Sequence, residues 1–180
     1  LRRGKPTCHK VYGEDVAILA GDMLNTLAFQ IIADNYKEKA ALLVSQLASA
    51  LGINGVVGGQ MADLRSVGRN IDTAELDFIT THKTADLFVA SARCAGIVAG
   101  ASKNELTALT KYALHLGLAF QIIDDILDYT GKQMNSYPGL LGMERAGIQA
   151  RKALKVALNA LPRSSRYDKL RGMALFLSKR

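Results

Sequence analysis

The chain has 180 residues and a mass of 19.4 kDa, which suits one domain with a sizeable core. It is 49% hydrophobic but only 6% aromatic, with no Trp and 3 Pro, a mix that favours helices and argues against a sandwich or barrel. The formal net charge of +7 points either to an anionic partner (phosphates, nucleic acid or a membrane surface) or to a solvated cationic exterior.

Taken in order, residues 15–35, "DVAILAGDMLNTLAFQIIADN", place apolar side chains at helical spacing. They read as a buried helix with Asp22 as its one interior charge. A second helix is expected over 37–53. A third is expected over 55–68, "GVVGGQMADLRSVG", where Gly58 and Gly59 each cost roughly 1 kcal/mol of helix propensity and imply a close backbone approach. Gln60 beside them either satisfies a helix kink or binds a ligand.

Residues 69–100 hold a helix start at Asp72 or Thr73, with Glu75 in the first turn. Residues 101–131 begin with Ser102 as N-cap and Glu105 three positions on, a capping box, and Gly131 reads as the stop signal. A loop around Pro138 follows. Two further amphipathic helices, 143–161 and 165–180, complete an all-α bundle or part of one, with no repeat or linker.

Cys8 and Cys94 lie far apart and form no CxxC, as expected of free thiols in a reducing, cytoplasmic setting. No uninterrupted apolar run reaches the ~18 residues that span a bilayer, so membrane insertion is not expected. No secretory signal pattern is visible.

The chemistry concentrates in "FQIIDDILDYTG", residues 120–131. On a helix, Asp124 and Asp128 stack on one face, Asp125 neighbours Asp128, and Gln121 lies one turn before Asp124. Like charges at this spacing repel unless a cation joins them, and the apolar flanks Ile122, Ile123, Ile126 and Leu127 argue against a fully solvated turn. Carboxylates are hard ligands suited to Mg²⁺, which uses one or two of them and takes further oxygens from water and phosphate. No His or Cys adjoins the cluster, which disfavours zinc. Lys83 and Thr84 in "THKTADLF" either meet phosphate or snorkel at a surface. Arg2 and Arg3 offer forked donors to diphosphate oxygens or are simply solvated. His9 has no sequence partner. No Walker loop, GxSxG elbow or HExxH helix is present.

These stretches together resemble the trans-isoprenyl diphosphate synthases of the farnesyl and geranylgeranyl type. "FQIIDDILDYTG" is similar to their second aspartate-rich motif, and "LRRGKPTCHKVYGEDVAILAGDML" to the segment after their first. "GGQMADL" and "HKTADLF" match two further signatures in the same order. The resemblance covers essentially the whole chain. It implies an isoprenoid synthase type of helical bundle around a deep central cavity, in one polyprenyl synthetase domain over residues 1–180.

The activity implied is Mg²⁺-dependent condensation, with Mn²⁺ as the alternative metal, of isopentenyl diphosphate with an allylic diphosphate (dimethylallyl, geranyl or farnesyl). The product would be farnesyl or geranylgeranyl diphosphate. By resemblance Asp124 is a direct metal ligand, and Asp125 and Asp128 ligate the metal or hold its water. Lys83 and Gln121 bind the allylic diphosphate and Thr84 sits near the forming cation. Arg2 binds the allylic diphosphate and Arg3 that of isopentenyl diphosphate.

Two departures from the family pattern stand out. The first aspartate-rich motif would lie before Leu1, and a longer Lys-containing loop would lie between Gly131 and Ser136. The expectation is that the sequence skips residues at both places. Met23 and Phe29 are candidate floor residues of the cavity. A homodimer is expected, and nucleic acid is not. The rival readings are a non-catalytic partner subunit, which would explain a missing first motif, and a class I terpene cyclase, against which the Arg pair and "HKT" speak.

Overall fold

The computed structural model describes Leu1 and residues 4–179, so the diphosphate roles expected of Arg2 and Arg3 lie outside the described residues. Every regular element among the described residues is helical, and no strand forms. Residues Leu1–Val44 form one compact unit and Ser45–Arg180 another.

The first unit contains α1 (Cys8–Tyr12) and α2 (Glu14–Asn35), joined at Gly13, whose φ of 94° favours glycine. The expectation that α2 is buried is wrong: none of its residues is buried, and Ile18, Leu19 and Leu24 are each more than 60% exposed. Its apolar side chains run round the whole helix rather than along one stripe, and the five-residue α1 is too short to cover them. Helix α3 (Ala40–Leu51) contains the boundary between the units.

The second unit is built on α7 (Lys103–Asp128), which starts at the expected capping box: Ser102 Oγ accepts from the Glu105 amide and Glu105 reaches back to the Ser102 amide. One face of α7 buries Leu109, Tyr112, Ala113 and Leu116 against Leu154, Ala157 and Leu161 from α9 (Met143–Ala160) and its C-terminal end, and against Ala174 and Leu177 of α10 (Asp168–Leu177). Each Leu so buried stabilises by roughly 2 kcal/mol. A second cluster joins Leu76 and Ile79 of α5 (Thr73–Thr80) to Ile122 of α7, Tyr137 of α8 (Tyr137–Leu141) and Ala146 and Ala150 of α9. Asp72 caps α5 as expected, accepting from the Glu75 amide at 2.8 Å.

Three local readings change. After α5 the chain does not continue as plain α-helix but widens into a π-helical turn, Thr81–Ala85, before α6 (Asp86–Val98). Helix α7 stops at Asp128, with Tyr129 extended, and Gly131 (φ 85°) lies beyond it in the connecting turn. The presumed loop around Pro138 contains the short helix α8, with Pro138 in its first turn where a missing N–H costs nothing.

By length and composition, Glu14–Asn35, Ala40–Ser66 and Lys103–Asp128 are each apolar enough to cross a membrane. They reach that length by average apolarity rather than by an uninterrupted run, because one or two charges break a run without much lowering its average.

Candidate functional site

The site is organised around the π-helical turn that carries His82, Lys83 and Thr84. π-Bulges are rare and frequently mark function. Here the Asp86 amide bonds back five residues to the Thr81 carbonyl. Two helices come close to this turn, each through a glycine. On α4 (Val56–Ser66) a Cβ at Gly59 would fall 2.2 Å from the Lys83 amide nitrogen, so the close approach expected of the glycine pair is made by Gly59. On α7 a Cβ at Gly117 would fall 2.7 Å from the Ala85 Cα.

In both helices the residue four positions after the glycine lies on the same face and meets the turn. Asp63, four after Gly59, accepts from Lys83 Nζ at 2.5 Å. Gln121, four after Gly117, accepts from the Thr84 hydroxyl through Oε1 at 2.9 Å. Asp63 was not picked out from the sequence. The signal was there, since a carboxylate one turn after a close-packed glycine must face the same neighbour.

Gln121 continues the network. Its Nε2 donates to Asp125 Oδ1 at 2.8 Å, and Asp125 Oδ2 accepts from the Tyr137 amide at 3.1 Å. The Tyr137 hydroxyl donates to Asp77 Oδ1 of α5 at 2.6 Å. Burial pushes the Asp125 carboxyl above its usual range, opposed by the bonds from Gln121 and Tyr137. Burial, together with the bond to Asp77, pushes the Tyr137 phenol up.

Asp63, Thr80, Lys83, Thr84, Gln121, Asp125 and Asn135 thus enclose a small polar cavity of about 50 Å³. A groove of about 580 Å³ starts from the same Lys83 and Thr84, and its walls are almost wholly apolar, with Leu87, Phe88, Ala92, Tyr112 and Leu116 among them. Asp124 is half-buried and Asp128 exposed on the last turn of α7. Among the described residues no three His, Cys, Asp or Glu side chains converge as a closed metal cage. Asp124 and Asp128 offer carboxylate oxygens, the hard donors that suit Mg²⁺ where phosphate and water complete its shell. His82 pairs with Asp86 at 2.8 Å, and its ring meets that of Phe78 at a tilt of 58° with centroids 4.4 Å apart. His9 and the candidate floor residues Met23 and Phe29 belong to the other unit, where Met23 is exposed.

The connection after Asp128 is a tight turn. The Thr130 amide donates to Gln133 Oε1, Gln133 Nε2 to the Asp128 carbonyl, and Ser136 Oγ to the Gln133 carbonyl.

The polyprenyl synthetase family model matches residues 1–137. Geranylgeranyl pyrophosphate synthase 7 of Arabidopsis thaliana is 41% identical over the whole of this chain and 58% of its own length. An FPP/GFPP synthase of Zymomonas mobilis superposes with a TM-score of 0.91 at 35% identity, over 98% of this chain and 66% of its own. A geranyltransferase of Helicobacter pylori, complexed with magnesium and isoprenyl diphosphate, superposes at 0.80 with 31% identity, over 99% of this chain and 62% of its own. The chain therefore spans between half and two thirds of these proteins. The Arabidopsis alignment runs over 202 positions against the 180 residues here, so that relative carries residues this chain lacks.

Proposed function

Since the chain belongs to the polyprenyl synthetase family, we propose that the protein is a trans-prenyltransferase. It joins isopentenyl diphosphate to dimethylallyl, geranyl or farnesyl diphosphate, giving farnesyl or geranylgeranyl diphosphate and diphosphate. One observation carries the reading: Lys83 and Thr84 border both a polar, carboxylate-lined cavity and an apolar groove of about 580 Å³. That juxtaposition fits a molecule with an anionic head and a hydrocarbon tail.

The side chains have the polarity the reaction needs. Lys83 donates one N–H to Asp63 and keeps its others for phosphate oxygens. Thr84 donates its proton to Gln121, so the hydroxyl presents lone pairs to its other neighbours, the correct sign for an allylic cation. Asp124, Asp125 and Asp128 would hold Mg²⁺, which when bound supplies Lewis-acid stabilisation of the departing diphosphate. The allylic C–O bond breaks with its electron pair going to diphosphate, the isopentenyl double bond closes on the carbon, and the proton lost goes to the released diphosphate. The apolar groove keeps out water that would capture the cation.

The reading extends to Arg2 and Arg3 as diphosphate ligands, to a single domain over residues 1–180, and to a cytoplasmic setting in keeping with the free Cys8 and Cys94. The exposed apolar side chains of α2 support a homodimer. We place the additional residues of the relatives before Leu1 and between Gly131 and Ser136, where lysines would close over the diphosphate.

The test is a product assay with isopentenyl diphosphate and each allylic starter. Prenyl transfer should require Mg²⁺ and fall by roughly 10²–10³-fold in Asp124→Ala. Turnover that persists both in EDTA and in that variant would overturn the reading.

A further inference from the structure

Both carboxylate oxygens of Asp125 are held. Gln121 Nε2 takes one at 2.8 Å and the Tyr137 backbone amide takes the other at 3.1 Å. A backbone donor is only as well placed as the segment that carries it, and this segment is fastened on both sides of the amide. Before it, Asn135 Nδ2 donates to the Ser66 and Arg69 carbonyls at the end of α4, at 2.7 and 3.1 Å. After it, the Tyr137 ring is 4% exposed, packed in the cluster of Leu76, Ile79 and Ile122. Its hydroxyl reaches α5, where it donates to Asp77 Oδ1 at 2.6 Å.

The bonds run in one direction from there. The amide holds Asp125, Asp125 accepts from the Gln121 NH₂, and that leaves the Gln121 carbonyl oxygen turned to the Thr84 hydroxyl. If the Gln121 amide turned over, its NH₂ would face Thr84 and its oxygen would face a carboxylate. The Thr84 proton would then lose its acceptor.

We propose that Tyr137 is a positioning residue. Its hydroxyl, anchored on Asp77, fixes the amide that holds Asp125, and through Asp125 and Gln121 it fixes which way Thr84 presents its oxygen. This rests on the reading of Thr84 and Asp125 as site residues. Neither Tyr137 nor Asp77 touches the substrate in this scheme. The effect belongs in turnover more than in substrate affinity.

The test compares Tyr137→Phe, Asp77→Ala and their double variant with Asp77→Asn, which keeps an acceptor oxygen for the hydroxyl. Losing one hydrogen bond should make the residue-137 amide exchange with deuterium roughly tenfold faster in the first two variants, with wild-type protection in Asp77→Asn. The kcat for prenyl transfer should fall about tenfold in the same two variants with KM within about twofold, and the double variant should be no worse than either single. Calorimetric binding of Mg²⁺ with inorganic pyrophosphate should stay within about twofold of the parent.

Additive losses in the double variant, or faster exchange at residue 137 with an unchanged kcat, would overturn the proposal and leave Tyr137 a core residue only. A wild-type protein that transfers no prenyl group sinks the reading of the function instead, while the exchange result still reports whether Asp77 governs the amide.

Discussion

Replacing Gly59 by Ala tests the argument that a missing side chain builds the site. The added Cβ would lie 2.2 Å from the Lys83 nitrogen and 2.7 Å from the His82 carbonyl carbon. Ordinary contact begins near 3.4 Å, so α4 must move from the π-helical turn by about 1.2 Å. The obstructing atoms are backbone, with no rotamer to relieve them. Overpacking of this kind costs about 1–3 kcal/mol, while Ala gains roughly 1 kcal/mol of helix propensity over Gly. With the clash at the upper end, the net loss is about 2 kcal/mol, or roughly 4–8 °C in Tm for a chain of this size.

The shift also separates Asp63 from Lys83, and misplacement of about 1 Å at such a site can cost 10²-fold in rate. Calorimetric unfolding and steady-state prenyl transfer measure the two effects. Gly172→Ala is the counterpart, because nothing lies within 4 Å of its Cβ and α10 should gain about 1 kcal/mol. A Gly59→Ala protein as stable and as active as the parent would refute the close-approach argument, above all if Gly172→Ala were then the less stable.

Two further predictions follow from single interactions. Asp63→Asn keeps the shape but removes the charge facing Lys83; turnover should fall roughly tenfold or more with Tm changed by only a few degrees, since the pair is about one third exposed and such pairs contribute little to folding. Glu105 is held down to about 2, first by the Ser102 amide and then by the Tyr167 and Ser102 hydroxyls. A carboxylate lowered on folding stabilises above its unfolded value of 4.5 and loses that contribution as pH falls toward 2. Glu105→Gln should therefore lower Tm at pH 7 and match the parent's Tm progressively as pH falls below 4.5, as measured by unfolding across that range.

The all-helical class was settled by the sequence, because helix-forming residues, apolar spacing and the Ser102–Glu105 and Asp72–Glu75 caps are local properties that need no partner. The three aspartates and Gln121 stood out by helical spacing, which puts Gln121 one turn before Asp124, whereas Lys83 and Thr84 stood out only through the resemblance of "HKTADLF" to a family signature. Contacts between elements distant in sequence were not legible. Asp63 stands 20 positions before Lys83, and Asp77 stands 60 before Tyr137, so no local pattern pairs them.

The π-helical turn also escaped the sequence, because no local pattern marks it and the glycines packed against it, Gly59 and Gly117, lie on helices distant in the chain. The exposure of α2 escaped as well. Apolar spacing says that a helix has something to bury, but only the packed structure says whether anything covers it.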